Sequence, residues 1–133
     1  MILPVSAVFA CVCTILLVLL SVRVAMFRLR HKKGVGVTDN RDFEAAVRAQ
    51  ANLTEYAPIA VILLAIGELN GVMVEWIYAL GMAFVLGRFL HAWGMIQGRG
   101  GAHPARLGGI LLTWLALLAM VVAVMLNVFQ ANY

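Results

Sequence analysis

Residues 1–22 read MILPVSAVFACVCTILLVLLSV and carry no charged side chain. About 20 apolar residues of helix span the hydrocarbon core of a bilayer, and this stretch supplies them in one run. Two further stretches repeat the pattern: 107–133 holds no charge, and 72–86 holds only Glu75. The whole chain follows suit, with 133 residues that are 64% hydrophobic and 12% charged. A soluble domain usually has about 25% charged and about 45–50% apolar residues. A protein of 14.5 kDa cannot hide this much apolar surface inside itself. Lipid is the natural solvent for the remainder. The reading is all-α and integral to the membrane, a bundle of four transmembrane helices that fills the chain and leaves no room for a soluble domain.

A cleaved signal peptide requires basic residues before its apolar core. Here Arg23, Arg28 and Arg30 come after it, so the first stretch is expected to stay as a span with its N-terminus outside. The other basic residues tell the same topological story. Lys32, Lys33, Arg41 and Arg48 join the first group around joint one, and Arg88, Arg99 and Arg106 surround joint three. The second joint, 67–75, has Glu68 and Glu75 and no base, and 127–133 has none either. By the positive-inside rule, joints one and three are cytoplasmic and the topology is N-out/C-out. The net charge of +4 is then a basic rim at one membrane face. Nucleic acid is a poor partner for it, because there is no basic soluble domain and no patch interleaved with aromatics.

The expected organisation is a single transmembrane domain, 1–133, with spans at about 3–28, 41–69, 72–96 and 105–130. Pro4 suits a helix start. Thr38, Asp39 and Asn40 are good N-cap residues ahead of span two. Asn70-Gly71 signals a turn, and Gly98, Gly100, Gly101 and Pro104 break the chain before span four. Cys11 and Cys13 lie mid-span on roughly opposite helix faces and read as small apolar side chains. His31, His91 and His103 are scattered, so no metal site is expected.

Span two is the unusual one, because only 57–67 reads as clean hydrocarbon. Arg48, Asn52, Glu55 and Tyr56 fall at i, i+4, i+7 and i+8, which makes one continuous helical stripe. Arg41, Asp42 and Glu44 fit a helix end that protrudes into water. Glu55 does not, since an acid beside a hydrocarbon stretch is costly and marks function by default. Pro58 removes a backbone bond and invites a kink nearby. In span three, Arg88 and His91 sit one turn apart inside an apolar run. Arg88 lies roughly 18 Å from the outer end of its span, where it either snorkels to the inner interface or belongs to a polar site. Arg106 opens span four, as a topogenic anchor or as part of the same site. These residues outline a polar pocket with several guanidiniums, one carboxylate and two amides. Its ligand should be anionic overall with one cationic point. From Arg48 to Glu55 the stripe rises roughly 10 Å, which suits a small peptide with carboxylates at its ends and one free amine. Arginine forks match carboxylates. No protein nucleophile lies nearby, so the ligand must bring any reactive group.

The run Arg48-Ala49-Gln50-Ala51-Asn52-Leu53-Thr54-Glu55-Tyr56-Ala57-Pro58 resembles the second-span signature of the MAPEG family, the membrane-associated proteins in eicosanoid and glutathione metabolism. Its Arg-x-Gln-x-Asn-x-x-Glu-Tyr-x-Pro spacing is close to the leukotriene-synthase branch. Arg28-Leu29-Arg30 with Lys32-Lys33, and Arg88-Phe89-Leu90-His91, are similar to the prostaglandin-synthase branch. Length, span count and topology agree along the chain. The resemblance implies a homotrimer that binds glutathione between neighbouring subunits near the cytoplasmic face, with a bacterial-type glutathione transferase as the nearest kind of member. Residues matching Arg48, Asn52, Glu55 and Tyr56 then hold the tripeptide, with Glu55 on its amine. Gln50 points away from the stripe and would serve a neighbour's site. Arg28 and Arg88 would meet glutathione carboxylates, and His91 would line the pocket.

The resemblance assigns thiol activation to Arg106, with Arg99 as the rival because the third joint is about two residues longer than in the family. A thiol of pKa about 8.5 is mostly protonated at neutral pH. A guanidinium beside it favours the nucleophilic thiolate, and a drop of two pKa units corresponds to about 2.7 kcal/mol. The thiolate would attack a lipophilic electrophile or a lipid hydroperoxide dissolved in the bilayer. This sequence has Met95 where a tyrosine is usual, and Gly108, Gly109 and Ile110 where an aromatic is usual, which leaves the electrophile open. A non-catalytic glutathione- or lipid-binding scaffold of the same family is the alternative. A small multidrug transporter is disfavoured, because such transporters use an isolated acid in span one and this span one has none.

Overall fold

The computed structural model describes residues 2–32, 34 and 39–131. Lys33, Gly36 and Thr38 of the first joint lie outside the described residues, as do Met1, Val35, Val37, Asn132 and Tyr133. Four α-helices follow one another: α1 is Pro4–Arg30, α2 is Arg41–Leu69, α3 is Val74–Gln97 and α4 is Pro104–Ala131. The shortest has 24 residues and rises about 36 Å, against a hydrocarbon core of about 30 Å. All four are long and apolar enough to cross a membrane, so the all-α, four-span reading of the sequence holds.

Local chemistry explains each boundary. Pro4 stands at the start of α1, where a missing amide costs nothing. The cap of that helix comes from far along the chain. The Glu68 carboxylate, near the end of α2, accepts from the backbone N–H of Val5 (2.9 Å) and of Ser6 (2.8 Å), and from the Ser6 hydroxyl (2.5 Å). Asn40 caps α2 by accepting from the amides of Asp42 and Phe43. α2 continues through Pro58 without a break, while the Thr54 hydroxyl donates back to the Gln50 carbonyl at 3.0 Å. It ends where Gly71 takes φ +83° and the Val72 amide reaches back to the Gly67 carbonyl, a turn that favours glycine. α3 ends in the same manner, with the Gly100 amide donating to the Met95 carbonyl. Here the left-handed residue after the cap is Arg99, at φ 48°. An Asp42 carboxylate on α2 holds its guanidinium at 2.7 and 3.0 Å.

Helices α2 and α3 lie at the middle of the bundle and α1 and α4 at opposite corners, since among the described residues α1 and α4 do not touch. The α3–α4 interface is the most extensive, and two glycines set its closeness. A Cβ on Gly94 would lie 2.2 Å from the Arg106 amide nitrogen, and one on Gly109 would lie 2.4 Å from that of His91. Small residues let helices approach in lipid, where no hydrophobic effect draws them together. One core cluster joins Phe9, Leu64, Ile77, Phe84 and Met120, and a second joins Leu16, Ala49, Leu53 and Met95. Outward lie Val8, Ile15, Leu19, Ile62, Leu86, Leu115, Leu118 and Val122, all exposed. That surface suits lipid or a second protein surface and would be a liability in water.

Candidate binding site

The second-span stripe opens onto a cavity of about 340 Å³ at the end of the bundle formed by the start of α2, the end of α3 and the start of α4. Arg48, Asn52, Glu55 and Tyr56 line it from α2, His91 and Met95 from α3, and Arg106, Ile110 and Trp114 from α4. The helical period of α2 gathers its four residues on one face. The close α3–α4 contact at Gly94 and Gly109 then brings His91 and Arg106 against them. A second cavity of about 450 Å³ continues outward along the same wall, sharing Arg48, Met95 and Arg106 and adding Arg41, Glu44 and Arg99. The lining therefore holds one acid in the inner chamber and guanidiniums on either side of it.

Hydrogen bonds fix some of these groups and leave others free. The Trp114 indole N–H donates to the Tyr56 hydroxyl at 3.1 Å. One Arg106 nitrogen donates to the carbonyls of Gly100 at 2.6 Å and Gly101 at 3.1 Å, which pins that side chain against the third joint. Among the described residues, Arg48 and Glu55 have neither a hydrogen-bonding side-chain partner nor an ion pair. Both are exposed to the cavity mouth. Their donors and acceptors are available for a ligand.

Arg88 settles between its two sequence readings: it does not snorkel. It is only 2% exposed and stands behind the cavity wall. Its Nε donates to the Thr113 hydroxyl at 2.9 Å, a second nitrogen bonds the same hydroxyl, and Nη1 donates to the Asn52 side-chain oxygen at 2.5 Å. The guanidinium also lies over the Tyr56 ring at 5.0 Å and the Phe84 ring at 5.9 Å. Arg88 thus touches two cavity residues without lining the cavity itself. Arg99 lines only the outer chamber and is engaged by Asp42, so Arg106 alone of the two rivals reaches the inner chamber.

Two sequence candidates lie elsewhere within one chain. The Gln50 side chain donates to the Ser21 hydroxyl at 2.8 Å, which ties α2 to α1 on the face away from the stripe. Arg28 donates to the Gly34 carbonyl at 2.5 Å and lies over the Phe43 ring at 5.3 Å. Cys11 is exposed and Cys13 buried, in keeping with their opposite faces. Sequence reasoning passed over Thr113 and Trp114, and met Ile110 only as a place where an aromatic is usual. Thr113 had a signal of its own, as the lone hydroxyl in the apolar stretch 107–126.

Comparison with known proteins adds an independent line. The MAPEG family pattern matches residues 6–126. Two relatives, both carrying the name inner membrane protein YecN, come from Escherichia coli strain K12 and from Escherichia coli O6:H1. Each is 31% identical over 119 residues, covering 90% of this chain and 88% of the relative.

Proposed function

This chain belongs to the MAPEG family, and on that premise we propose that it binds glutathione in the inner cavity and activates its thiol. The reading is a glutathione-dependent transferase or peroxidase of the membrane, acting on lipophilic electrophiles or lipid hydroperoxides. One observation carries it: Arg48, Asn52, Glu55, Tyr56, His91 and Arg106, drawn from three helices, line a single cavity with one acid among several donors. Glutathione offers two carboxylates and one ammonium, and the cavity answers with Arg48 and Glu55, which are unpaired among the described residues. The volume of about 340 Å³ lies in the usual range for small-ligand sites.

In this reading Glu55 takes the ammonium and Arg48 a carboxylate by its planar fork. The Asn52 amide and the Tyr56 ring position the peptide. Arg106 would stabilise the thiolate formed when the thiol proton passes to water at the open mouth. The thiolate then forms a carbon–sulfur bond as the electrophile's leaving group departs, or takes the outer oxygen of a hydroperoxide as the O–O bond breaks and the alcohol leaves. In the second case another glutathione reduces the resulting sulfenic acid to disulfide and water. Orientation and charge stabilisation are then the chain's own contribution. Arg28 and Gln50, which the family resemblance adds to the site, lie outside the cavity of one copy. A homotrimer in which a neighbour supplies them accounts for both. The asymmetry of the basic residues supports a site near the cytoplasmic face, in an N-out/C-out topology.

A binder without turnover is favoured by one detail, the two carbonyls that hold an Arg106 nitrogen at Gly100 and Gly101. Titration of glutathione into the detergent-purified protein, followed by thiolate absorbance in the ultraviolet, separates the readings. The expected result is a saturable thiolate signal that is lost in Arg106→Ala. Saturable binding without thiolate would establish the scaffold instead, and no binding would remove both.

A further inference from the structure

Arg88 is a buried cation inside an apolar span, and among the described residues no acid pairs with it. An unpaired ion in such a place is costly and is retained for a task. Its environment indicates the task. Among the described residues, its hydrogen bonds go to two oxygens, that of Asn52 in the cavity wall and that of Thr113 on α4. Thr113 is 0% exposed. Its hydroxyl donates to the Gly109 carbonyl at 2.8 Å, so its lone pairs are turned toward Arg88. The chain of contacts runs from Gly109 through Thr113 and Arg88 to Asn52 and the Tyr56 ring.

We propose that Thr113 is a positioning residue for the glutathione site, acting through Arg88. The proposal rests on the glutathione reading of the cavity. Thr113 fixes the guanidinium in one orientation. The guanidinium then holds the Asn52 oxygen, which leaves the Asn52 amide N–H groups turned to the cavity as donors for the ligand. An asparagine side chain free to flip would present acceptor and donor in turn, and an acceptor repels a carboxylate. The same guanidinium presses against one face of Tyr56 while Trp114 holds its hydroxyl, so the ring stays put. Among the described residues no acid pairs with its positive charge, so it favours an anion in the adjoining chamber.

The test is a double-mutant cycle on glutathione affinity with thermal unfolding measured on every variant. Wild-type binding is the check on the glutathione reading, and the cycle is the check on Thr113. Thr113→Val is expected to weaken glutathione binding about tenfold, the loss of hydrogen bonds to a charged group. Thr113→Ser, which keeps the hydroxyl, is expected to bind as wild type. In the Asn52→Ala background, Thr113→Val is expected to have almost no further effect, because the relay has already lost its end. If the two losses simply multiply, or if Thr113→Val lowers the unfolding temperature and leaves the affinity alone, Thr113 is only a packing residue and the proposal is overturned. Should Thr113→Val fail to fold, Arg88→Lys replaces it in the cycle, since lysine keeps the charge without the fork. An Arg88→Lys variant that binds like wild type would overturn the relay equally.

Discussion

At the scale of single residues, Glu55 is the sharpest test of the ligand. Among the described residues its carboxylate has no partner of its own, so replacing it should leave the fold intact. Glu55→Gln is expected to reduce glutathione affinity at least tenfold, the loss of a charge-assisted bond to the ammonium. A glutathione analogue lacking that amine should bind the wild type and the variant alike, as isothermal titration would register. Arg99 poses the opposite case. It occupies a left-handed position that glycine prefers, at a cost of about 1–2 kcal/mol. Its ion pair with Asp42 is largely solvent-exposed, at 64% and 41%, and exposed pairs contribute about 0–1 kcal/mol. Arg99→Gly should therefore change the unfolding temperature little and should leave the thiolate signal in place. The stripe of Arg48, Asn52, Glu55 and Tyr56 was legible in the sequence, because polar residues at helical spacing stand out against an apolar span. Thr113 was not, because a hydroxyl in such a span usually bonds its own helix, as Thr113 also does. Its second role depends on how α3 crosses α4, which no local pattern records.

At the scale of elements, the α3–α4 contact governs the cavity. Gly94 faces the backbone at Arg106, and Gly109 faces the backbone at His91. An added methyl at either position must push two backbones apart, and backbone does not yield as a flexible side chain does. Gly94→Ala and Gly109→Ala are each expected to destabilise the bundle by about 1–3 kcal/mol and to weaken glutathione binding, though neither glycine reaches the ligand. Unfolding in detergent and glutathione titration on the same samples would measure both effects. Gly109 has no room for a side chain, whereas a Cβ on Gly108 beside it would meet nothing within 4 Å. The helix count and the turns at Asn70-Gly71 and Gly98–Gly101 could be read from sequence alone, because long uncharged runs and glycine clusters are strong local signals. The continuation of α2 through Pro58 was also within the expected span of 41–69, since a proline in a membrane helix need not end it.

At the scale of the whole molecule, six of the expected site residues line one cavity of a single chain. Arg28 and Gln50 face other directions, and large apolar faces are left exposed. If a neighbour completes the site, chains carrying Arg28→Ala and chains carrying Arg48→Ala should each bind poorly alone. Coexpressed in equal amounts, they should recover about one intact site in four. Recovery of none would mean that each chain builds its site unaided. The composition spoke clearly for a membrane protein, yet it was silent on assembly, because lipid and a second subunit both accept the same apolar surface. The Glu68 clasp on Val5 and Ser6 has a consequence for how the protein is made. The first helix emerges from the ribosome with its leading amides bare, and the carboxylate that satisfies them is synthesised some sixty residues later. In apolar surroundings bare amides are expensive. The first hairpin should therefore mature as a pair, with α1 settling into its final depth only after α2 has been threaded to its far end. Glu68→Ala should then slow biogenesis more than it harms the finished protein, which pulse-labelled protease protection during synthesis would reveal.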